Sequence, residues 1–434
     1  MPPHAAVPVE VLRPSQSLPP GGVTLPTVTG HLDALDGMRA IAAFAVLAFH
    51  VAIESAAGLR DHFFSALLAR GDVAVPVFFV LSGLLLYRPY ARATLRGSPP
   101  PDTRLYLIKR CLRILPAYWI VVVVAMLLWA DEHLGDLKTW VELLLLVQNY
   151  EPDPWWYGLG PRGLAQMWSL CVEMAFYLVL PLLAAALAAY ARRAGDDVGG
   201  RARRLLIGLA GLASISLLWA IFTYYPVYRP NLNMWLPRSM VYFACGMAIA
   251  VVLAWAREDP DEDGPARRFI RAANASAGSF LAVAALAYAV AASPLTGTRF
   301  TGVDSVWADI AELLLYATIA VGLVAPAALL TSPTEGVARV VERFLSSRVM
   351  RYFGRISYGV FLWQFVVLYL WYEFTEQQPW SGNFVGNLIA ITAITVLLAD
   401  LTYRYVEEPA RGLVRFFTKR PERSAQTPAG TAAR

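Results

Sequence analysis

The chain has 434 residues, 57% of them hydrophobic and 16% charged, with a formal net charge of +5 and a mean hydropathy of +0.48. A soluble domain carries about a quarter charged residues, whereas here the charges gather between long apolar runs, which excludes a soluble globular protein and indicates a polytopic membrane protein. The basic excess then reflects which loops lie on which side of the bilayer, and no nucleic-acid partner is expected.

Residues 1–32 are rich in Pro, Gly, Val and Thr and read as a flexible cytoplasmic tail. They lack the charged start, short apolar core and small-residue cleavage site of a signal peptide. Apolar runs long enough to cross a bilayer follow near 37–56, 73–90, 112–130, 167–190, 205–225, 235–255, 276–293, 308–330, 356–373 and 384–403. The run Trp140-Val-Glu-Leu-Leu-Leu-Leu-Val-Gln148 is too short to span at about 1.5 Å per residue, and reads as a re-entrant or interfacial piece. With it kept out of the count of crossings, 29 Lys and Arg fall on one side of the membrane and seven on the other. Basic loops stay cytoplasmic, so the expected fold is all-α with about ten transmembrane helices and both termini inside.

The transmembrane domain is expected over 33–409, with 410–434 a second tail, basic and polar. Pro and Trp in Pro152-Asp-Pro-Trp-Trp-Tyr157 suit an outer interface, where indoles anchor. Cys111, Cys171 and Cys245 have no metal-ligand spacing, so neither a metal nor a disulfide framework is expected.

Ionisable groups at membrane depth are costly and face a bundle interior or a wet cavity. Arg39 and His50 share the first span, and eleven residues bring them to within about 20° of one face, roughly 16 Å apart along the axis. Glu173 enters from the other side to a comparable depth, so the histidine and a carboxylate can form a general base and its partner. Glu54, one turn beyond His50, is the alternative partner, and a satisfied polar contact between helices is the plainer reading. Arg110 and Arg113 share one face at the inner mouth of the third span, a spacing suited to phosphate and equally to positive-inside anchoring. Ser169, Glu173 and Tyr177 form a polar stripe at helical spacing, which has to face the interior. Asp72 is expected at outer water, the Ser82-Gly83 step at a close helix contact, and Arg404, Glu407 and Glu408 in an inner-surface ion cluster.

These residues fall in an ordered set of motifs: Leu35-Asp-Gly-Met-Arg39-Ala with His50; Val77-Phe-Phe-Val-Leu-Ser82-Gly83; Arg110-Cys-Leu-Arg113 with Pro116; Trp168-Ser-Leu with Glu173, Tyr177 and Pro181; Ile356-Ser-Tyr358-Gly-Val-Phe-Leu; and Val406-Glu-Glu-Pro409. In this order over 33–409 the chain resembles the type 3 acyltransferase family, bacterial membrane proteins that O-acylate sugars, cell-surface polysaccharides and some macrolides. The resemblance implies His50 as catalytic base with Arg39 as its companion, and Arg110 and Arg113 engaging an acyl-CoA donor. It also implies Trp168, Ser169, Glu173, Tyr177 and Tyr358 lining the site. Where the family pattern ends its Ser-Tyr helix with Leu-x-His, this chain has Leu362-Trp-Gln364. Gln hydrogen-bonds but does not titrate near neutrality.

The expected protein is therefore a multi-pass O-acyltransferase of a bacterial cytoplasmic membrane. It moves an acyl group, acetyl first, from cytosolic acyl-CoA to a hydroxyl of a glycan, glycolipid or macrolide. His50 takes the proton, Glu173 or Glu54 steadies the imidazolium, and the Trp-rich segment packs the acceptor's sugar ring. No esterase-like domain is expected after 409, so transfer is expected to be completed within this chain or through a separate extracytoplasmic partner. The rival reading is a non-enzymatic transporter or flippase for a glycolipid or small metabolite, since buried His, Arg and Glu also suit a proton-coupled carrier.

Overall fold

The computed structural model describes residues 32–297, 305–329 and 336–418, so most of both expected tails lies outside the described residues. It is all helical: α1 (Asp33–Glu54), α2 (Phe63–Leu68), α3 (Ala74–Arg96), α4 (Thr103–Trp129), α5 (Leu137–Leu144), α6 (Trp168–Arg192), α7 (Val198–Tyr224) and α8 (Leu236–Glu258). Beyond these lie α9 (Pro265–Ala275), α10 (Ala277–Ala291), α11 (Val306–Leu329), α12 (Gly336–Leu345), α13 (Arg348–Phe374), α14 (Phe384–Thr402), a π-helical turn (Tyr403–Glu407), α15 (Glu408–Gly412) and α16 (Val414–Thr418).

Among the described residues, nine helical segments are long and apolar enough to cross a bilayer. The short α5, over the run read as non-spanning, has eight residues. The crossing expected near 276–293 coincides with α10, and a sharp bend precedes it. Ser276 leaves helical geometry at φ −120° and ψ 30°, and α9 and α10 meet there at 73°. The 15 residues of α10 reach only about 22 Å, short of a hydrocarbon core about 30 Å thick.

Lipid offers no hydrophobic drive for helices to associate, so close packing at small residues has to supply it. The tightest contact joins α3 to α8: a Cβ on Gly83 would collide with the Phe243 carbonyl, and one on Gly246 with that of Val80. The expected close contact at Ser82-Gly83 is thus made by its glycine. Around it Phe243 stacks on Phe176 of α6 at 3.9 Å and on Phe79 of α3 at 4.8 Å. Gly354 brings α13 against the Asp36 backbone of α1, and Arg351 pairs with Asp33 at 2.9 Å. These contacts set α1, α3, α6 and α13 around one interior.

Charged residues at the two ends differ from their expected surroundings. Asp72 accepts from the Tyr316 hydroxyl at 2.7 Å, beside the Arg70–Glu312 (2.9 Å) and Arg238–Asp309 (2.7 Å) pairs, so it belongs to a bonded cluster between helices. Glu407 is buried and held by Arg411 at 2.9 Å, while Arg404 pairs with Asp400 at 2.7 Å, so the last-helix charges do not form one surface cluster.

Candidate active site

A cavity of about 720 Å³ runs between α3, α4, α6 and α13, with Arg39 of α1 in its wall. Along α3 its lining extends from Val75 to Arg96, a length of about 31 Å, or nearly the thickness of a bilayer core. Its chemistry changes along that length. Phe78, Phe79 and Leu81 line one end, and Arg88, Arg92 and Arg96 line the other with Ser98 and the prolines 99–101.

Seven residues singled out from the sequence meet here: Arg39, Arg110, Arg113, Ser169, Glu173, Tyr177 and Tyr358 all line this cavity. Arg39 is held by Asp36, one turn before it, at 3.3 Å. Four-residue spacing puts Glu173 and Tyr177 on one face, and the Tyr177 hydroxyl donates to Glu173 Oε1 at 2.6 Å. The Ser82 hydroxyl donates to the same oxygen from α3. Glu173 therefore sits as an acceptor between two hydroxyls in a wall whose other charged residues are all arginines. Tyr358 donates to the Ile114 carbonyl at 2.9 Å, which ties α13 to α4 beside Arg113.

His50 and Trp168 are not among the lining residues. Trp168 opens α6 half-buried, and its carbonyl accepts from Asn149 at 2.9 Å. The His50 ring packs on Phe365, with centroids 4.3 Å apart, and its Nδ1 lies 2.9 Å from Gln364 Oε1. The hydrogen bonds of Glu173 go to Ser82 and Tyr177, so the expected His–carboxylate pair is replaced by a His–amide pair. Gln364 Nε2 donates to the Phe361 carbonyl at 3.0 Å. A carbonyl only accepts, so it fixes which end of the amide faces it and leaves the oxygen for His50. Nδ1 must then carry the proton, and Nε2 keeps the lone pair. Phe361, one turn before Gln364 on the same helix, lines the cavity.

Beyond His50 an aromatic series continues along α13. Phe365 lies 5.5 Å from Tyr369, which lies 6.0 Å from Trp129 of α4. The Arg162 guanidinium stands 5.4 Å from the Trp129 ring and 5.1 Å from the Tyr369 ring, and pairs with Glu373 at 2.8 Å. In the Trp-rich segment, one face of Trp155 is stacked by His133 at 3.7 Å while the residue stays 36% exposed, and Trp156 is buried.

Sequence reasoning passed over Ser82 as a polar partner, Arg88, Arg92 and Arg96 as lining residues, and the series Phe365, Tyr369 and Trp129. The four-residue spacing of the α3 arginines was the available signal. It is masked because such residues also mark an ordinary basic helix end.

A family model described as an acyltransferase domain matches residues 32–404. The chain is 24% identical to the peptidoglycan O-acetyltransferase OatA of Listeria monocytogenes over 412 residues, 89% of this chain and 57% of that protein. It is 24% identical over 401 residues to a putative peptidoglycan O-acetyltransferase, YrhL, of Bacillus subtilis, covering 88% of this chain and 55% of the relative. A putative O-acetyltransferase of Staphylococcus aureus is 23% identical over 409 residues, again 88% of this chain and 57% of the relative. The chain thus spans rather more than half the length of these relatives. No solved structure matches it. The matched region runs from the turn before α1 into the π-helical turn after α14 and takes in the whole cavity, and on that match the chain belongs to the type 3 acyltransferase family.

Proposed function

We propose that the protein is an O-acyltransferase that carries an acetyl group from acetyl-CoA on the cytoplasmic side to a hydroxyl of a cell-envelope glycan on the outer side. The names of its relatives, one a peptidoglycan O-acetyltransferase and one named as a putative one, support the acetyl group and the glycan class. The bias of basic residues among the loops supports the orientation, with the arginine end of the cavity and both termini in the cytoplasm. The observation that carries the reading is the cavity itself. It is lined with arginine at one end and apolar at the other, and its lining includes Phe361, one turn from the residue that holds His50.

The charged end of the donor binds Arg110 and Arg113, with Arg39 beside them, by charge-assisted hydrogen bonds to phosphate. The thioester arm lies along the apolar half, and its acyl end passes Phe361 when that ring rotates aside. His50 Nε2 takes the proton of the acceptor hydroxyl as its oxygen attacks the thioester carbonyl. The carbon–sulfur bond breaks, and the thiolate leaves on the cytoplasmic side. The imidazolium keeps its Nδ1–H bond to Gln364 until it passes on the added proton. The acceptor approaches along Trp129 and Tyr369, whose rings and the Arg162–Glu373 pair suit a sugar.

Membranes incubated with radiolabelled acetyl-CoA test this. Label moving to an acceptor with release of free CoA is the expected result. Counterflow uptake of a solute without CoA release would establish the carrier reading instead.

A further inference from the structure

The cavity wall sets six arginines against a single carboxylate, Glu173. Three of them, Arg39, Arg110 and Arg113, are those assigned above to the donor. The other three stand on α3 at positions 88, 92 and 96, a stripe of about 12 Å along the last turns of that helix.

The outer two of these are built into a pair. Glu258, at the end of α8, receives Arg92 Nε on one oxygen at 3.3 Å and Arg96 Nε on the other at 2.7 Å. A guanidinium held by its Nε still has four N–H donors on its two terminal nitrogens. One carboxylate thus holds two guanidiniums side by side, and the three groups together keep one net positive charge.

The surroundings keep this pair in place. α3 ends at Gly97, in the left-handed region at φ 69°, where Ser98 N–H caps the Ala93 carbonyl at 2.9 Å. Arg201, a buried residue of α7, donates to the Leu95 carbonyl at 3.2 Å and pins the same helix end. Pro99, Pro100 and Pro101 follow as part of the lining, and three fixed φ angles give the mouth a stiff rim.

We propose that Arg92 and Arg96, tethered by Glu258, form a second anion subsite at the mouth, which takes a phosphate monoester on the nucleotide end of the donor. This rests on the acyl-CoA reading above. It deepens that reading by giving the donor's two separate anionic groups two separate sets of arginines. The diphosphate lies against the arginines of α1 and α4, and the ribose phosphate lies against the α3 pair. A singly phosphorylated pantetheine arm on a carrier protein leaves the rim pair unfilled.

The test compares acetyl-CoA with acetyl-(3′-dephospho)-CoA in the wild-type protein, in R92A/R96A and in R92K/R96K, all in proteoliposomes. The wild type should show a KM roughly tenfold or more lower for acetyl-CoA, the size expected from a charge-assisted pair. R92A/R96A should have the same KM for both donors, with kcat and the acceptor KM unchanged, and the lysine variant should keep part of the discrimination. A wild type that uses both donors at equal KM overturns the subsite without reference to any variant's folding. So does an alanine variant that still discriminates. Absence of transfer from either donor contradicts the acyltransferase reading itself.

Discussion

His50 and Gln364 are 314 residues apart in sequence and joined by a 2.9 Å contact between Nδ1 and Oε1. The same amide is anchored on its own helix through the Phe361 carbonyl at 3.0 Å. One neutral side chain thereby sets both the tautomer and the orientation of the imidazole, a task that a carboxylate performs in many other sites.

Replacing that amide tests its role. Gln364→Leu should lower kcat by roughly ten- to a hundredfold, since the histidine then samples the wrong tautomer, while KM for both substrates stays near wild type. Gln364→His offers a ring nitrogen to Nδ1 and should recover part of the loss. Steady-state kinetics in proteoliposomes separates the two parameters, and an unchanged kcat in Gln364→Leu would leave the amide a packing role only.

Phe361 lines the donor cavity one turn before Gln364, the partner of His50, and in the reading proposed above it separates the two. Phe361→Ala should raise acceptor-independent hydrolysis of acetyl-CoA several-fold, because water then reaches the thioester through the gap. Release of free CoA without acceptor is the measurement. A rate equal to wild type would mean that the ring does not separate the two compartments.

Glu173 accepts from Ser82 and Tyr177, so its charge and its hydrogen bonds are separable. Glu173→Gln keeps an acceptor oxygen but removes the charge, and should lower kcat about tenfold or more. Tyr177→Phe removes one hydroxyl and should cost only about 1 kcal/mol. Equal losses in the two variants would assign the network to helix packing.

Arg113→Ala should raise the KM for acetyl-CoA at least roughly tenfold and leave the acceptor KM within about twofold, since phosphate contacts act on the donor alone. Equal effects on both substrates would reduce Arg113 to an anchor at the membrane surface.

Much of the arrangement was legible in the chain because the bilayer constrains it. Span lengths, the non-spanning run at 140–148 and the interior placement of Ser169, Glu173 and Tyr177 follow from helical period and the cost of polar groups in lipid. The residues that were not legible depend on neighbours distant in sequence. Equal depth suggested that His50 and Glu173 pair, but depth carries no azimuth, and the helices turn Glu173 toward Ser82 and His50 toward Gln364. The helix α9 that meets α10 at Ser276 was not legible, because its basic residues read as a loop between spans. Sequence also does not show that His133 stacks on one face of Trp155.

The central claim is that the His50 imidazole performs the proton transfer, and acetyl transfer by purified His50→Ala tests it most directly. With acetyl-CoA and acceptor saturating, the account predicts a fall in kcat of at least roughly a hundredfold while acetyl-CoA still binds with wild-type affinity. Full transfer by His50→Ala would contradict it and move the chemistry to the cavity beside Ser82 and Glu173.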